Sequence, residues 1–117
     1  MTRAELIESI IQYAGDDYDP TDSHQVSFVE WTVDDAISEV LHEMCPFQMT
    51  DDETATYTDM VLSRYGSVVR RIAMFHYDKQ GKEGATTFYE SGQTTSFESG
   101  GTPRSFFRSV IPIAKII

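Results

Sequence analysis

From Val26 to Met44 the apolar residues recur at a spacing that an α-helix gathers onto one face: Val26, Val29, Val33, Ala36, Ile37, Val40, Leu41 and Met44. Asp22 with Gln25 can start this helix, and Pro46 stops it. About 23 residues make a rod of roughly 34 Å. A rod with one apolar face must bury that face, and the next segment supplies a partner. Thr50-Asp51-Asp52-Glu53 is a capping box that opens a second long helix. Its broad face carries Tyr57, Met60, Val61, Tyr65, Val68, Val69, Ile72, Ala73 and His76, and the polar stretch 78–84 ends it. Two long helices joined by a short loop should form an antiparallel hairpin. Gly66 inside the second costs about 1 kcal/mol against Ala, so it marks a kink or the close approach of another backbone.

A shorter helix precedes the pair. Thr2-Arg3-Ala4-Glu5 is another capping box, Leu6, Ile7, Ile10, Ile11 and Ala14 form the stripe, and Gly15 is the natural end, which predicts a helix over Arg3–Ala14. After Gly84 the texture changes. Thr86-Thr87-Phe88-Tyr89-Glu90 and Thr95-Ser96-Phe97-Glu98 are β-prone and flank a Gly92-Gln93 turn, a register that sets Phe88 opposite Phe97. Thr102-Pro103 reads as a cap followed by proline at a first helical position, opening a short helix over about 103–110. The expected fold is therefore mainly α. A bundle of three main helices occupies 1–84, and a β-hairpin, short helix and extended tail occupy 85–117, in one compact unit. A chain of 117 residues leaves no room for two full cores.

The net charge of −10 argues against generic nucleic-acid binding. Its distribution is more informative. Residues 1–63 carry fifteen acids and one base, Arg3, whereas residues 64–117 carry four acids and eight bases, so the halves stand at about −14 and +4. Such a chain can set its basic end against the acidic end of another copy, or the acids can form a solvated face. Arg64, Arg70 and Arg71 are the basic residues expected to meet a neighbouring subunit, with Phe88 and Phe97 of the hairpin. The last segment is apolar. Phe106, Phe107, Val110, Ile111, Ile113, Ile116 and Ile117 crowd into twelve residues, and Pro112 prevents one continuous helix from burying them on a single face. With Arg104, Arg108 and Lys115 they suit docking to a partner, the alternative being that they complete this chain's own core.

No catalytic or cofactor constellation is legible. His24, His42 and His76 are the imidazoles, and none has a second histidine four residues away. The single cysteine, Cys45, excludes a cysteine-rich zinc site and an internal disulfide, and suits a small buried apolar role and folding in the cytosol. Asp16, Asp17, Asp19 and Asp22 resemble a calcium loop only in composition; turns and helix caps account for them. No glycine-rich phosphate loop appears, and no apolar run approaches the roughly 18 residues of a membrane span. Met1-Thr2-Arg3-Ala4-Glu5 lacks the order of a signal peptide. The expectation is a non-enzymatic chain with no cofactor and no metal.

Arg70-Arg71-Ile72-Ala73 followed by Tyr77-Asp78-Lys79-Gln80-Gly81-Lys82-Glu83-Gly84, then Glu90-Ser91-Gly92, Ser96-Phe97-Glu98-Ser99, Pro103 and Val110-Ile111-Pro112, resembles small head–tail connector (adaptor) proteins of tailed bacteriophages. The match covers about the last 45 residues, rests on order and spacing, and departs where many relatives carry Asn in place of Asp78. The resemblance implies a homo-oligomeric ring, commonly dodecameric, docked beneath the portal protein at the virion's head–tail junction and assembled in the host cytoplasm. Such rings extend the channel for passing DNA without reading its sequence, and receive a stopper or tail-completion protein. The family has no catalytic residues. Its C-terminal segment contacts the portal, which maps portal binding onto Arg104, Phe106, Phe107, Arg108, Val110, Ile111, Ile113, Ile116 and Ile117. The alternative reading of the chain is a small acidic helical regulatory or antitoxin-like binding module.

Overall fold

The computed structural model describes residues 1–79 and 102–113. Four α-helices fill the first stretch: α1 (Arg3–Ala14), α2 (Ser23–Met44), α3 (Asp51–Arg64) and α4 (Gly66–Asp78). The mainly helical expectation holds, and the described residues contain no strand. The expected β-hairpin with Phe88 and Phe97 lies outside the described residues.

The helix ends follow from local chemistry. Both capping boxes form: Thr2 and Thr50 accept the amides of Glu5 and Glu53, whose carboxylates reach back to the cap amides. Asp22 caps α2 by accepting from the His24 amide. Gly15 ends α1 at φ +60°, a conformation that side chains resist. Asp19 accepts from the amide and hydroxyl of Thr21, so that aspartate builds a turn.

The second expected rod is two. Tyr65, at φ −118° and ψ 24°, leaves helical geometry and separates α3 from α4. A β-carbon at Gly66 would stand 3.0–3.2 Å from the Met1 side chain, which crosses this point. The sequence marked the place, but the group that approaches is a side chain and not a backbone.

The core lies between α2 and α4, the pair with the most extensive contact, with α1 packed across both. Val29, Val33, Ala36, Ile37, Val40 and Met44 of α2 are buried, as are Val68, Val69, Ile72 and Ala73 of α4 and Leu6 and Ile10 of α1. Each of the Val, Leu, Ile and Met side chains among them contributes about 1.5–3 kcal/mol. Tyr77 near the end of α4 lies against Phe28 near the start of α2. At the other end, the Ile111 amide donates to the Tyr65 hydroxyl and the Ile113 amide to the Met44 carbonyl. The two helices therefore run antiparallel. α3 contributes one buried residue, Val61, while Tyr57 and Met60 are half-buried.

The C-terminal stretch corrects two expectations. The short helix is a 3-10 turn over Arg104–Phe107, with Pro103 at its cap position. Thr102 does not cap it; its hydroxyl points to Glu39 on α2. Phe107 ends the 3-10 turn, the Val110 amide donates to its carbonyl, and both side chains enter the core formed by the helices.

Candidate functional site

Asp35, Glu39 and Glu43 follow one another at four-residue spacing on α2, so they line one edge of the helix beside the apolar face. All three meet groups brought from later in the chain. His76, in the last turn of α4, places Nε2 2.5 Å from Glu39 Oε2 and 3.3 Å from Asp35 Oδ2. The Thr102 hydroxyl donates to Glu39 Oε1 at 2.5 Å. One turn further along, Arg104 makes a two-pronged bond to Glu43, at 2.8 and 2.6 Å. The acidic edge is thus the seam at which α4 and the C-terminal stretch meet α2.

His76 is buried at 8% exposure, although its partners are partly open to solvent. Trp31 and Phe75 flank its ring, with centroids 5.7 and 5.8 Å away. Trp31 is half exposed and stacks on Phe28, which touches Tyr77; Tyr77 in turn meets Tyr13 edge-on. The imidazole therefore sits under an aromatic shelf with two carboxylates in front of it.

The two carboxyls respond in opposite directions to this setting. Burial pushes Asp35 above the usual carboxylate range, and the neighbouring Glu39 adds to that push against the attraction of His76. Burial acts on Glu39 in the same sense, but hydrogen bonds from His76 and Thr102 outweigh it together and hold Glu39 below its ordinary value. Glu43 is lowered by its bond to Arg104. Cys45, at the end of α2, is buried, and burial raises its thiol, which fits the inert role.

The residues expected to bind partners are scattered. Arg64, Arg70 and Arg71 are exposed, and among the described residues they make no ion pair or hydrogen bond. Of the C-terminal candidates, Phe107 and Val110 are buried in this chain's own core. Phe106 is half-buried, edge-on to Phe75 at 5.4 Å, and Ile113 is half-buried against the core. Arg104 is held by Glu43, Arg108 is exposed, and Ile111 stands 72% exposed. In this structure the stretch 102–113 completes the chain's own core, with Ile111 as its outward apolar residue. Ile116, Ile117 and Lys115 lie outside the described residues, as do Phe88 and Phe97.

Sequence reasoning missed the seam. It placed His76 on the apolar face and read the acids of the first half as facing another copy or solvent, not as partners within the chain. The available signal was the four-residue spacing of Asp35 and Glu39 beside the buried stripe. Its imidazole partner stands 37 residues away from Glu39, beyond the reach of any local pattern. Among the described residues Asp35, Glu39 and His76 are also the group of side chains that could hold a metal ion, with donor atoms all within 4.8 Å of one another.

These features define a small all-α unit with a polar seam. No protein-family model, curated protein or solved structure matches the chain.

Proposed function

We propose that this chain is a structural subunit of the connector that joins head to tail in a tailed bacteriophage, assembling as a homo-oligomeric ring beneath the portal protein. The observation that carries the reading is the ordered set of C-terminal sequence motifs, from Arg70-Arg71-Ile72-Ala73 to Val110-Ile111-Pro112. Its physical features are compatible with that role. A chain with an acidic first half and a basic second half favours head-to-tail contacts between copies, and such contacts close into rings. Arg64, Arg70 and Arg71 are exposed for a neighbour's acids. An acidic channel wall would let DNA pass without holding it, because like charges repel. The ring would bind portal on one side and a stopper or tail-completion protein on the other, and would perform no catalysis.

Sedimentation and negative-stain microscopy of the full chain test the reading. Rings that weaken when Arg70 and Arg71 are both changed to Glu, and weaken most at low salt, support it. A chain that stays monomeric at all concentrations, with or without portal protein, sinks it in favour of a small regulatory binding module.

A further inference from the structure

We propose that Asp35, Glu39 and His76 form a binding site for one first-row divalent cation, with Zn²⁺ as the probe. The proposal is independent of the connector reading and rests on the seam between α2 and α4.

Three observations carry it. The donor set is the first. One imidazole nitrogen and two carboxylate oxygens, carried on two helices, lie within 4.8 Å of one another, and this mixture of N and O donors suits zinc and its neighbours. Bonds of about 2.0–2.2 Å at tetrahedral angles set donors roughly 3.3–3.5 Å apart. Nε2 of His76 and Oδ2 of Asp35 already stand 3.3 Å apart. Nε2 and Oε2 of Glu39 are closer, at 2.5 Å, because they share a hydrogen bond. A cation taking that proton's place needs the Glu39 carboxylate to withdraw by about 1 Å. Its side chain is 26% exposed, so part of it faces solvent.

Charge is the second. Among the described residues Asp35 and Glu39 have the imidazole as their sole ion-pair partner, whereas the arginines nearby in the fold are committed elsewhere, Arg3 to Asp34 and Arg104 to Glu43. Two carboxylates crowd one imidazole at a half-buried place, and a divalent ion would offset their mutual repulsion.

The surroundings are the third. The Thr102 hydroxyl holds Oε1 of Glu39 and so turns Oε2 toward His76, the part a supporting hydrogen bond plays around metal ligands. Trp31 and Phe75 close the site on the ring side. The three ligands leave a fourth position to water on the open side. A bound ion would join α2 to α4, with the C-terminal stretch bracing it through Thr102.

The test is calorimetric titration of the chelator-treated full chain with Zn²⁺, with thermal melts run alongside. The expected result is one ion per chain and a melting temperature that rises with Zn²⁺. Asp35→Asn and His76→Ala should each weaken binding at least tenfold, and Thr102→Val by about tenfold. His24→Ala and His42→Ala should bind as the parent does, since neither histidine belongs to the site. Trp31 is the only tryptophan in the chain, so Co²⁺ bound beside it should quench the protein's indole fluorescence, and Asp35→Asn should abolish that quenching. Should His76→Ala fail to fold by circular dichroism, Asp35→Asn decides, because Asp35 lies at the open edge with 39% of its side chain exposed. Absence of saturable binding up to about 1 mM overturns the proposal. So does binding that survives Asp35→Asn unchanged, or that His24→Ala or His42→Ala weakens as much as His76→Ala does.

Discussion

α2 carries two stripes that solve the same problem by different physics. Val29, Val33, Ile37, Val40 and Met44 attach α1 and α4 by burial. Asp35, Glu39 and Glu43, beside them, attach His76, Thr102 and Arg104 by hydrogen bonds and charge. The apolar stripe is non-directional and accepts any partner of the right shape. The acidic stripe is directional, and it fixes which turn of α4 and which residues of the C-terminal stretch lie where. Bulk stability should therefore reside in the first, and register in the second.

Charge placed in the apolar stripe is the most severe way to break that division. Ile72→Asp or Val40→Asp puts an unpaired carboxylate where exposure is zero, which costs several kcal/mol. Loss of the cooperative melt by circular dichroism is expected for both, and a normal melt in either would remove it from the core. Phe107→Ala comes next. Its ring closes the core from the C-terminal stretch, and truncation should cost about 3 kcal/mol, read from urea denaturation. A change below about 0.5 kcal/mol would show that the stretch lies on the bundle without stabilising it.

A sharper comparison lies within the acidic stripe. In metal-free protein at neutral pH, Glu39→Gln should destabilise by roughly 1–3 kcal/mol, because the hydrogen bonds to His76 and Thr102 lose the carboxylate charge that strengthens them. Asp35→Asn should be neutral within about 0.5 kcal/mol or slightly stabilising, since burial and Glu39 already disfavour its charge. Equal losses in the two variants would mean that the stripe acts as a bulk of negative charge and not through named bonds. The smallest effect belongs to Glu43. Arg104 holds its carboxyl below the ordinary value of 4.5, so its stabilisation is present above that value and fades as the pH falls through the lower, folded one. Stability curves of the parent and Glu43→Gln should differ at pH 7 and converge in acid. The gap should be less than that for Glu39, because Arg104 is largely in solvent.

The same division explains what the sequence disclosed. The apolar stripe is periodic, so the bounds of α1, the extent of α2 and most of the facing residues were readable from spacing and caps. The break at Tyr65 was half-readable: Gly66 marked the spot, but the Met1 side chain that packs against it comes from the far end of the chain. The seam was not readable. Thr102-Pro103 looks like a helix cap by local rules, and only the arrival of Glu39, 63 residues earlier, takes its hydroxyl away. The apolar tail showed its hydrophobicity plainly but not its destination; Phe107 and Val110 turned inward while Ile111 turned out.

The elbow at Tyr65 has a further consequence. By cutting a single long rod in two, it leaves α3 attached through Val61 and a few half-buried neighbours, while α1, α2 and α4 share the continuous core. Opening of α3 alone would uncover fewer fully buried side chains than opening of α2 or α4, so it should cost less than melting the whole molecule. Backbone amides of α3 should accordingly exchange with deuterated solvent far sooner than those of α2 and α4, giving a molecule of about 13 kDa a soft end and a hard one.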